Sequence, residues 1–189
     1  ISIRRIDLNE EEKLSIKSYN FLTMKPIIYL ANIKEEDINK NNEYVEILKT
    51  YAKEEGSKVI EVCVKLEEEL KDLDDKEKEE MLSAVNMKNS ALDNLIISTY
   101  EILNLSTFFT VGKDEVKAWT YKNGMTAKEC AGLIHSDIQK GFIKAEVYNY
   151  KDLLEYPDEN TLKEKGKIRI EGKDYLMKDA DICFFRFNV

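Results

Sequence analysis

The chain has 189 residues, 43% of them hydrophobic and 10% aromatic: enough for one good core or two small ones, and too apolar for a segment that stays unfolded. No apolar run approaches the roughly 20 residues of a bilayer span. Cys63, Cys130 and Cys183 lie far apart, without a CxxC pair and with only His135 to join them, which argues against a zinc site and for a soluble protein of the reducing cytoplasm.

The formal charge of -8 is unevenly placed, because 14 basic and 14 acidic residues lie from Ser106 onward, leaving 15 against 23 before it. Two domains are expected on that ground. The chain opens at Ile1 without a charged-then-apolar leader and reads as an ordered piece of something longer.

In chain order, Ile1 to Asn20 is charged and weakly periodic, with Ile6, Leu14 and Phe21 widely spaced, which suggests a solvated helix. Pro26 then opens Ile27-Ile28-Tyr29-Leu30-Ala31, a short continuous apolar run of the kind that forms a parallel strand buried on both faces. Tyr44, Ile47, Leu48, Tyr51 and Ala52 fall at helical spacing and Gly56 stops them. Lys58 to Val64 is β-branched and apolar again, completing a strand, helix, strand unit with parallel strands. Ligands of such sheets bind outside the strand carboxyl ends, here Asn32 to Glu35 and Cys63 to Lys65. Two helices follow, at about Asp75 to Val85 and Ala91 to Leu103, the second carrying a Ser90 and Asp93 capping signature.

From Thr107 the period changes to two. Thr107 to Val111 and Glu115 to Tyr121, separated by Gly112-Lys113-Asp114, read as a hairpin. A helix is expected over Thr126 to Ile134, and strands over Phe142 to Tyr150, Lys167 to Ile170, Tyr175 to Met177 and Ile182 to Asn188. That order is the order of a β-grasp, α+β domain, although other α+β folds share it.

Several blocks carry a resemblance. Thr23 to Asn32 (TMKPIIYLAN) is similar to the LTxKPxxYxxN segment of YchF-type, Obg-like P-loop ATPases, and Asn32-Ile33-Lys34-Glu35 matches their NxxE. Phe108 to Thr120, Ala131 to Val147 and Glu171 to Val189 resemble the three signature blocks of that family's TGS domain. The resemblance implies an α/β portion, the carboxy-terminal part of a P-loop G domain over 23–105, after the returning helix of a helical arm over 1–22. A ubiquitin-like TGS domain over 106–189 completes it. It also implies base recognition by Asn32, the backbone of Ile33, and Glu35, with Cys63 and Val64 in the second base-contacting loop. ATP is preferred over GTP in the family, and hydrolysis with Mg²⁺ belongs to the full-length parent. This chain, lacking the phosphate-cradling loop, is expected to be inactive alone and to hold neither catalytic nor metal-binding residues. Ribosomes or ribosomal RNA are the implied partner, with no membrane or DNA. The alternative is a non-catalytic, TGS-bearing adapter of ribosomes or RNA. The sequence departs from the family pattern where Ala180 stands in place of a frequent Gly, and in having Cys63-Val64-Lys65 at the second base loop.

The chemistry of NxxE can be set beside guanine-reading NKxD, whose Asp accepts two hydrogen bonds from the base. Glu35 adds a methylene, moving the carboxylate by roughly 1.5 Å, which spoils a two-point match. Cys63 reads either as a small buried apolar residue or as a backbone wall of the base pocket, and Lys65 either covers the base or begins a helix. His135, before Ser136 and Asp137, has no nucleophile at a triad spacing and is expected to cap a helix. Lys140, Lys144 and Arg169, with Lys173, Arg186 and the nearby Tyr148, Tyr150 and Tyr175, are candidates for a basic, RNA-stacking face.

Overall fold

The computed structural model describes residues 2–112 and 115–188 and divides into two compact units, Ile1–Ile102 and Leu103–Val189. The central residues of the expected hairpin turn, Lys113 and Asp114, lie outside the described residues.

The first unit opens with short pieces in place of one helix. A 3-10 turn at Ile3–Arg5 precedes α1 (Glu10–Ile16), whose start is fixed by a capping box between Asn9 and Glu12; 3-10 turns follow at Lys17–Tyr19 and Leu22–Met24. Asn20, at a φ of 50°, breaks the path. Ile6, Leu14 and Phe21 are exposed, since their wide spacing gives no helical face to bury.

Next, β1 (Ile28–Asn32) and β2 (Lys58–Val62) pair in parallel, Ile28 opposite Lys58 and Asn32 opposite Val62, with α2 (Glu43–Glu55) as the crossover. Asn42 caps the amino end of α2, and Gly56, at a φ of 68°, ends it in the left-handed region. The expectation of a strand buried on both faces is corrected: Leu30 is 51% exposed, because α2 and the later helix over Ala91–Ile102 pack mainly against β2. The helical stripe is also rotated. Val45, Ala52 and Glu55 face inward, while Tyr44, Ile47 and Tyr51 stay exposed.

Glu55 is a buried carboxylate that ties the amino-terminal segment to this layer. It accepts from Tyr29 Oη at 2.7 Å, Ser2 Oγ at 3.1 Å and Tyr51 Oη at 3.3 Å, with the Arg4 guanidinium 3.8 Å away. These donors, Tyr29 first, hold its carboxyl below the usual range against the opposing effect of burial.

After β2 the chain enters α3 (Val64–Lys71), α4 (Asp75–Ala84) and α5 (Ala91–Ile102). The Glu67 carboxylate of α3 accepts from Ala91 N at 2.7 Å, and Ser90 and Asp93 bond each other at the start of α5 as their spacing predicts. Cys63, Leu66, Leu70 and Leu82 form this unit's core, with Ile33, Ile38 and Met87 packed against it.

The second unit is a five-stranded mixed sheet in the order β4-β3-β7-β5-β6. β3 (Leu105–Val111) and β4 (Val116–Lys122) form the expected hairpin; α6 (Ala127–Ile134) and α7 (Ser136–Lys140) follow, then β5 (Phe142–Asn149), α8 (Tyr150–Glu155), α9 (Glu159–Glu164), β6 (Arg169–Glu171) and β7 (Asp181–Phe187). The central pair β3 and β7 is parallel and the other pairings are antiparallel. Phe108, Tyr121, Cys130, Ala145, Val147, Cys183 and Phe185 make one core between sheet and α6.

Tyr175 to Met177 is not a strand: its one ladder contact is the isolated bridge between Thr126 and Leu176. The alternation is real, since Leu176 is exposed and Met177 buried, but the segment leads into a turn and does not extend along the sheet. In that turn Ala180 adopts a φ of 61°, donates to Thr107 O at 2.8 Å and accepts from Tyr150 N at 2.9 Å. Two backbone bonds thus hold an alanine where glycine is the easier residue.

Candidate nucleotide-base site

Parallel pairing brings the carboxyl ends of β1 and β2 to the same edge, so the segments after Asn32 and Val62 meet there. Ile33 N donates to Val62 O at 2.8 Å, extending the ladder one residue past the strands. The Asn32 side chain reaches across the junction, where Oδ1 accepts from Val64 N at 3.5 Å. Glu35 begins a 3-10 turn (Glu35–Asp37), and its Oε2 lies 2.7 Å from Lys65 Nζ. The ammonium is held above its ordinary range by this hydrogen bond and by the charge of Glu35.

The two readings of Cys63 separate into side chain and backbone. Its thiol is buried beside Ile33 and Leu66, and its carbonyl accepts from Glu67 N at 3.0 Å inside α3. Lys65 does begin a helix, and it also spans the two loops. Sequence reasoning offered the helix start at Lys65 as one of two readings but missed the pairing with Glu35; the signal available was a lone Lys directly before the Leu66-Glu67-Glu68-Glu69 run.

A cavity of about 570 Å³ lies beneath, walled by Ile33, Ile38, Cys63, Leu66 and Met87 together with Lys49 and Glu67. Asn32, Glu35, Val64 and Lys65 are not among its walls. They stand on the open rim, Val64 being 55% exposed, so a planar ligand held by them would lie against the surface edge and not in the cavity.

The basic candidates of the second unit do not come together. Register puts Arg169 opposite Val147, on the core face of the sheet, whereas Lys144 lies opposite Arg186 on the other face. Arg169 is engaged by Tyr175 Oη at 3.0 Å, Glu171 at 3.4 Å and the fully buried Asp181 at 3.6 Å. Lys140, ending α7, lies 3.8 Å from Asp137. Arg186 pairs with Glu146 at 3.1 Å and stacks over Phe184 at 4.3 Å. The expectation of one basic face is therefore corrected by strand alternation. His135 caps α7, its Nδ1 accepting from Asp137 N at 3.2 Å.

Among the described residues no group of three His, Cys, Asp or Glu side chains is placed to hold a metal ion, and no helix is long and apolar enough to cross a membrane.

The profile of the YchF-GTPase_C family, described as "Protein of unknown function (DUF933)", matches residues 105–188. The "Ribosome-binding ATPase YchF" of Haemophilus influenzae is 46% identical over 187 residues, 99% of this chain and 51% of that protein. The protein of the same name from Bacillus subtilis is 45% identical over 188 residues, 98% of this chain and 51% of its own length. The solved structure of the Schizosaccharomyces pombe YchF GTPase superposes with a TM-score of 0.84 at 37% identity, covering 98% of this chain and 50% of that one. The chain belongs to the YchF family. It spans about half the length of the curated relatives it matches. The mixed α/β architecture, with one parallel sheet and one mixed sheet, is that of YchF GTPase structures. A GTP-binding protein of Pyrococcus horikoshii, at 19% identity and a TM-score of 0.60, shares the fold.

Proposed function

We infer that this chain is the base-recognising end of the G domain of a YchF-type ATPase together with its TGS domain, in a protein that hydrolyses ATP in preference to GTP and associates with ribosomes. The observation that carries this reading is the convergence of Asn32, Glu35, Val64 and Lys65 on the shared carboxyl edge of a parallel strand pair. These groups suit a purine edge. The Asn32 amide offers a donor and an acceptor side by side, matching an exocyclic amine next to a ring nitrogen. The 3.5 Å bond from Val64 N is long enough to be exchanged for a base atom. Asn32, Ile33 and Val64 hold the base in this reading, Cys63 backs the loop, and Glu35 discriminates.

The relatives are about twice as long, so the phosphate loop and the Mg²⁺ ligands are assigned to the remainder of the protein. Residues 106–189 are assigned to a β-grasp, TGS-type domain, supported by a sheet whose parallel centre is formed by its first and last strands. Residues 1–22 are assigned to the returning leg of a helical arm, built from α1 and its flanking turns. Of the basic candidates, Lys140 at the end of α7 and Lys144, on the sheet face that carries Arg186 and Phe184, are left to meet ribosomal RNA. Free, buried cysteines suit the cytoplasm.

The test is Glu35→Asp in the protein at the full length of its relatives, read by competition binding of ATP and GTP. The shorter carboxylate approaches guanine N1 and N2 as in NKxD proteins, and one charge-assisted hydrogen bond is worth about 1.5–3 kcal/mol, or roughly ten- to a hundredfold toward GTP. A ratio unchanged within about twofold, a small fraction of that hydrogen bond, removes Glu35 from the base site.

A further inference from the structure

The strongest cross-link at the proposed base site is the Glu35–Lys65 pair, which joins residues 30 apart in sequence and sets one loop against the other. Lys65 is held on α3 by its backbone, and Glu69, one turn on, lies 3.8 Å from its ammonium. The ammonium therefore sits among carboxylates, with its shortest contact to Glu35. This geometry points to Lys65 as a specificity-determining residue that keeps the Glu35 carboxylate from reading guanine. The inference rests on the base-site reading above and deepens it.

Guanine recognition by a carboxylate needs both oxygens, one for the N1 hydrogen and one for the exocyclic amine. With Oε2 held by Lys65, a guanine must compete with the ion pair for that oxygen, over and above the displacement that the longer Glu35 side chain brings. The ammonium is itself a donor and has no acceptor capacity. Placed beside the base, it meets the N1–H of guanine as donor against donor, whereas adenine presents a bare N1 that accepts. Selectivity then comes from repelling the wrong base as well as holding the right one. The added methylene of Glu35 has a second use: it gives the carboxylate the reach to meet Lys65.

Both side chains are substantially exposed, 51% for Glu35 and 68% for Lys65, so replacing Lys65 leaves the fold intact. The experiment is competition binding of labelled ATP and GTP, without turnover, to the protein at the full length of its relatives. Lys65→Met is expected to shift the affinity ratio toward GTP by about fivefold, as suits an exposed ion pair. Lys65→Arg keeps a cation within reach and is expected to retain the original ratio. In a Glu35→Gln background, Lys65→Met is expected to change nothing further, since no carboxylate remains to be released. Asn32→Ala separates the two levels of the argument. If it weakens ATP binding while Lys65→Met leaves the ratio unchanged, the Lys65 inference is overturned and the base site stands. If Asn32→Ala also leaves ATP binding unchanged, the base-site reading fails and the inference falls with it.

Discussion

The two units solve the burial problem differently. In Leu103–Val189 five strands and α6 enclose Phe108, Cys130, Ala145 and Val147 with no exposure at all. Among the described residues of Ile1–Ile102, two strands and five α-helices leave Leu30, Tyr44, Ile47, Tyr51, Ile96 and Ile97 exposed. An isolated two-stranded pair is marginal in water, whereas three or more strands packed on a helix sustain themselves. Both units leave apolar side chains exposed, Ile170 and Leu154 of the second among them, so what separates them is the core: the second unit's buried cluster runs from Phe108 to Phe185 across sheet and helix, whereas the first unit's rests on Cys63, Leu66, Leu70 and Leu82.

Separating the two units gives the largest expected effect. Residues 103–189 expressed alone are expected to give dispersed amide NMR signals and one cooperative melt. Residues 1–102 alone are expected to bind a hydrophobic dye and to melt without a cooperative transition. A reversed outcome, with the first segment cooperative and the second collapsed, would undo the contrast.

A smaller effect, still large for one residue, is expected at Asp181. Its side chain is fully buried, accepts from Tyr175 Oη at 2.9 Å and Lys178 N at 3.0 Å, and faces Arg169. Asp181→Ala strands these donors and is expected to destabilise the second unit by about 3 kcal/mol, because removing one member of a buried charged network leaves the others uncompensated. Chemical denaturation measures it, and a loss below about 1 kcal/mol, the net value of one ordinary hydrogen bond, would show that the network is relieved by water.

The thiols sharpen the same contrast through pH. Burial pushes Cys130 up to about 12 and Cys183 higher still. A group protonated more readily when folded contributes stability that is complete below its unfolded value and is lost as pH rises through the window up to the folded one. Stability of the second unit is therefore expected to decline from about pH 8.5, the ordinary thiol value, toward about 12. Cys130→Ala with Cys183→Ala, compared with the native chain, should flatten that decline. Equal slopes would assign it to other groups, Tyr121 and Tyr175 being the other buried acids raised by burial.

Much of the fold was legible because each main element has its own local signal. Pro26 before an apolar run, Gly56 after a helical stripe, and Ser90 with Asp93 all mark boundaries that the structure keeps within a residue or two. The parallel crossover also made the edge holding Asn32, Ile33, Glu35, Cys63 and Val64 legible, since it forces both strand ends to one side. What failed depended on partners. Tyr44, Ile47 and Tyr51 form as good a stripe as Val45, Leu48 and Ala52, and periodicity cannot say which one faces the sheet. Helices α7, α8 and α9, of five or six residues, are too short to show a period. Lys144 and Arg169 were grouped by charge, but strand register, with an irregularity between Phe142 and Lys144, assigns them to opposite faces. The Lys65–Glu35 pair depends on how two loops meet, which spacing along the chain does not encode.

The smallest expected effect concerns Ala180, where sequence and structure disagree about the ideal residue. At a φ of 61° its Cβ crowds the carbonyl that follows, at a cost of roughly 1–2 kcal/mol relative to the right-handed region. Glycine removes that cost but frees the unfolded chain, which returns about 0.4–1 kcal/mol of the gain. The balance favours Ala180→Gly by about 0.5–1 kcal/mol, or a rise of a few degrees in melting temperature for a unit of this size. The backbone bonds from Ala180 N to Thr107 O and from Tyr150 N to Ala180 O are independent of the side chain, so the turn itself should persist. Calorimetry on the second unit, native against Ala180→Gly, measures the difference. A lower melting temperature would mean that the half-buried methyl contributes more through its contacts than the left-handed backbone costs, and that the turn is fitted to alanine and does not merely tolerate it.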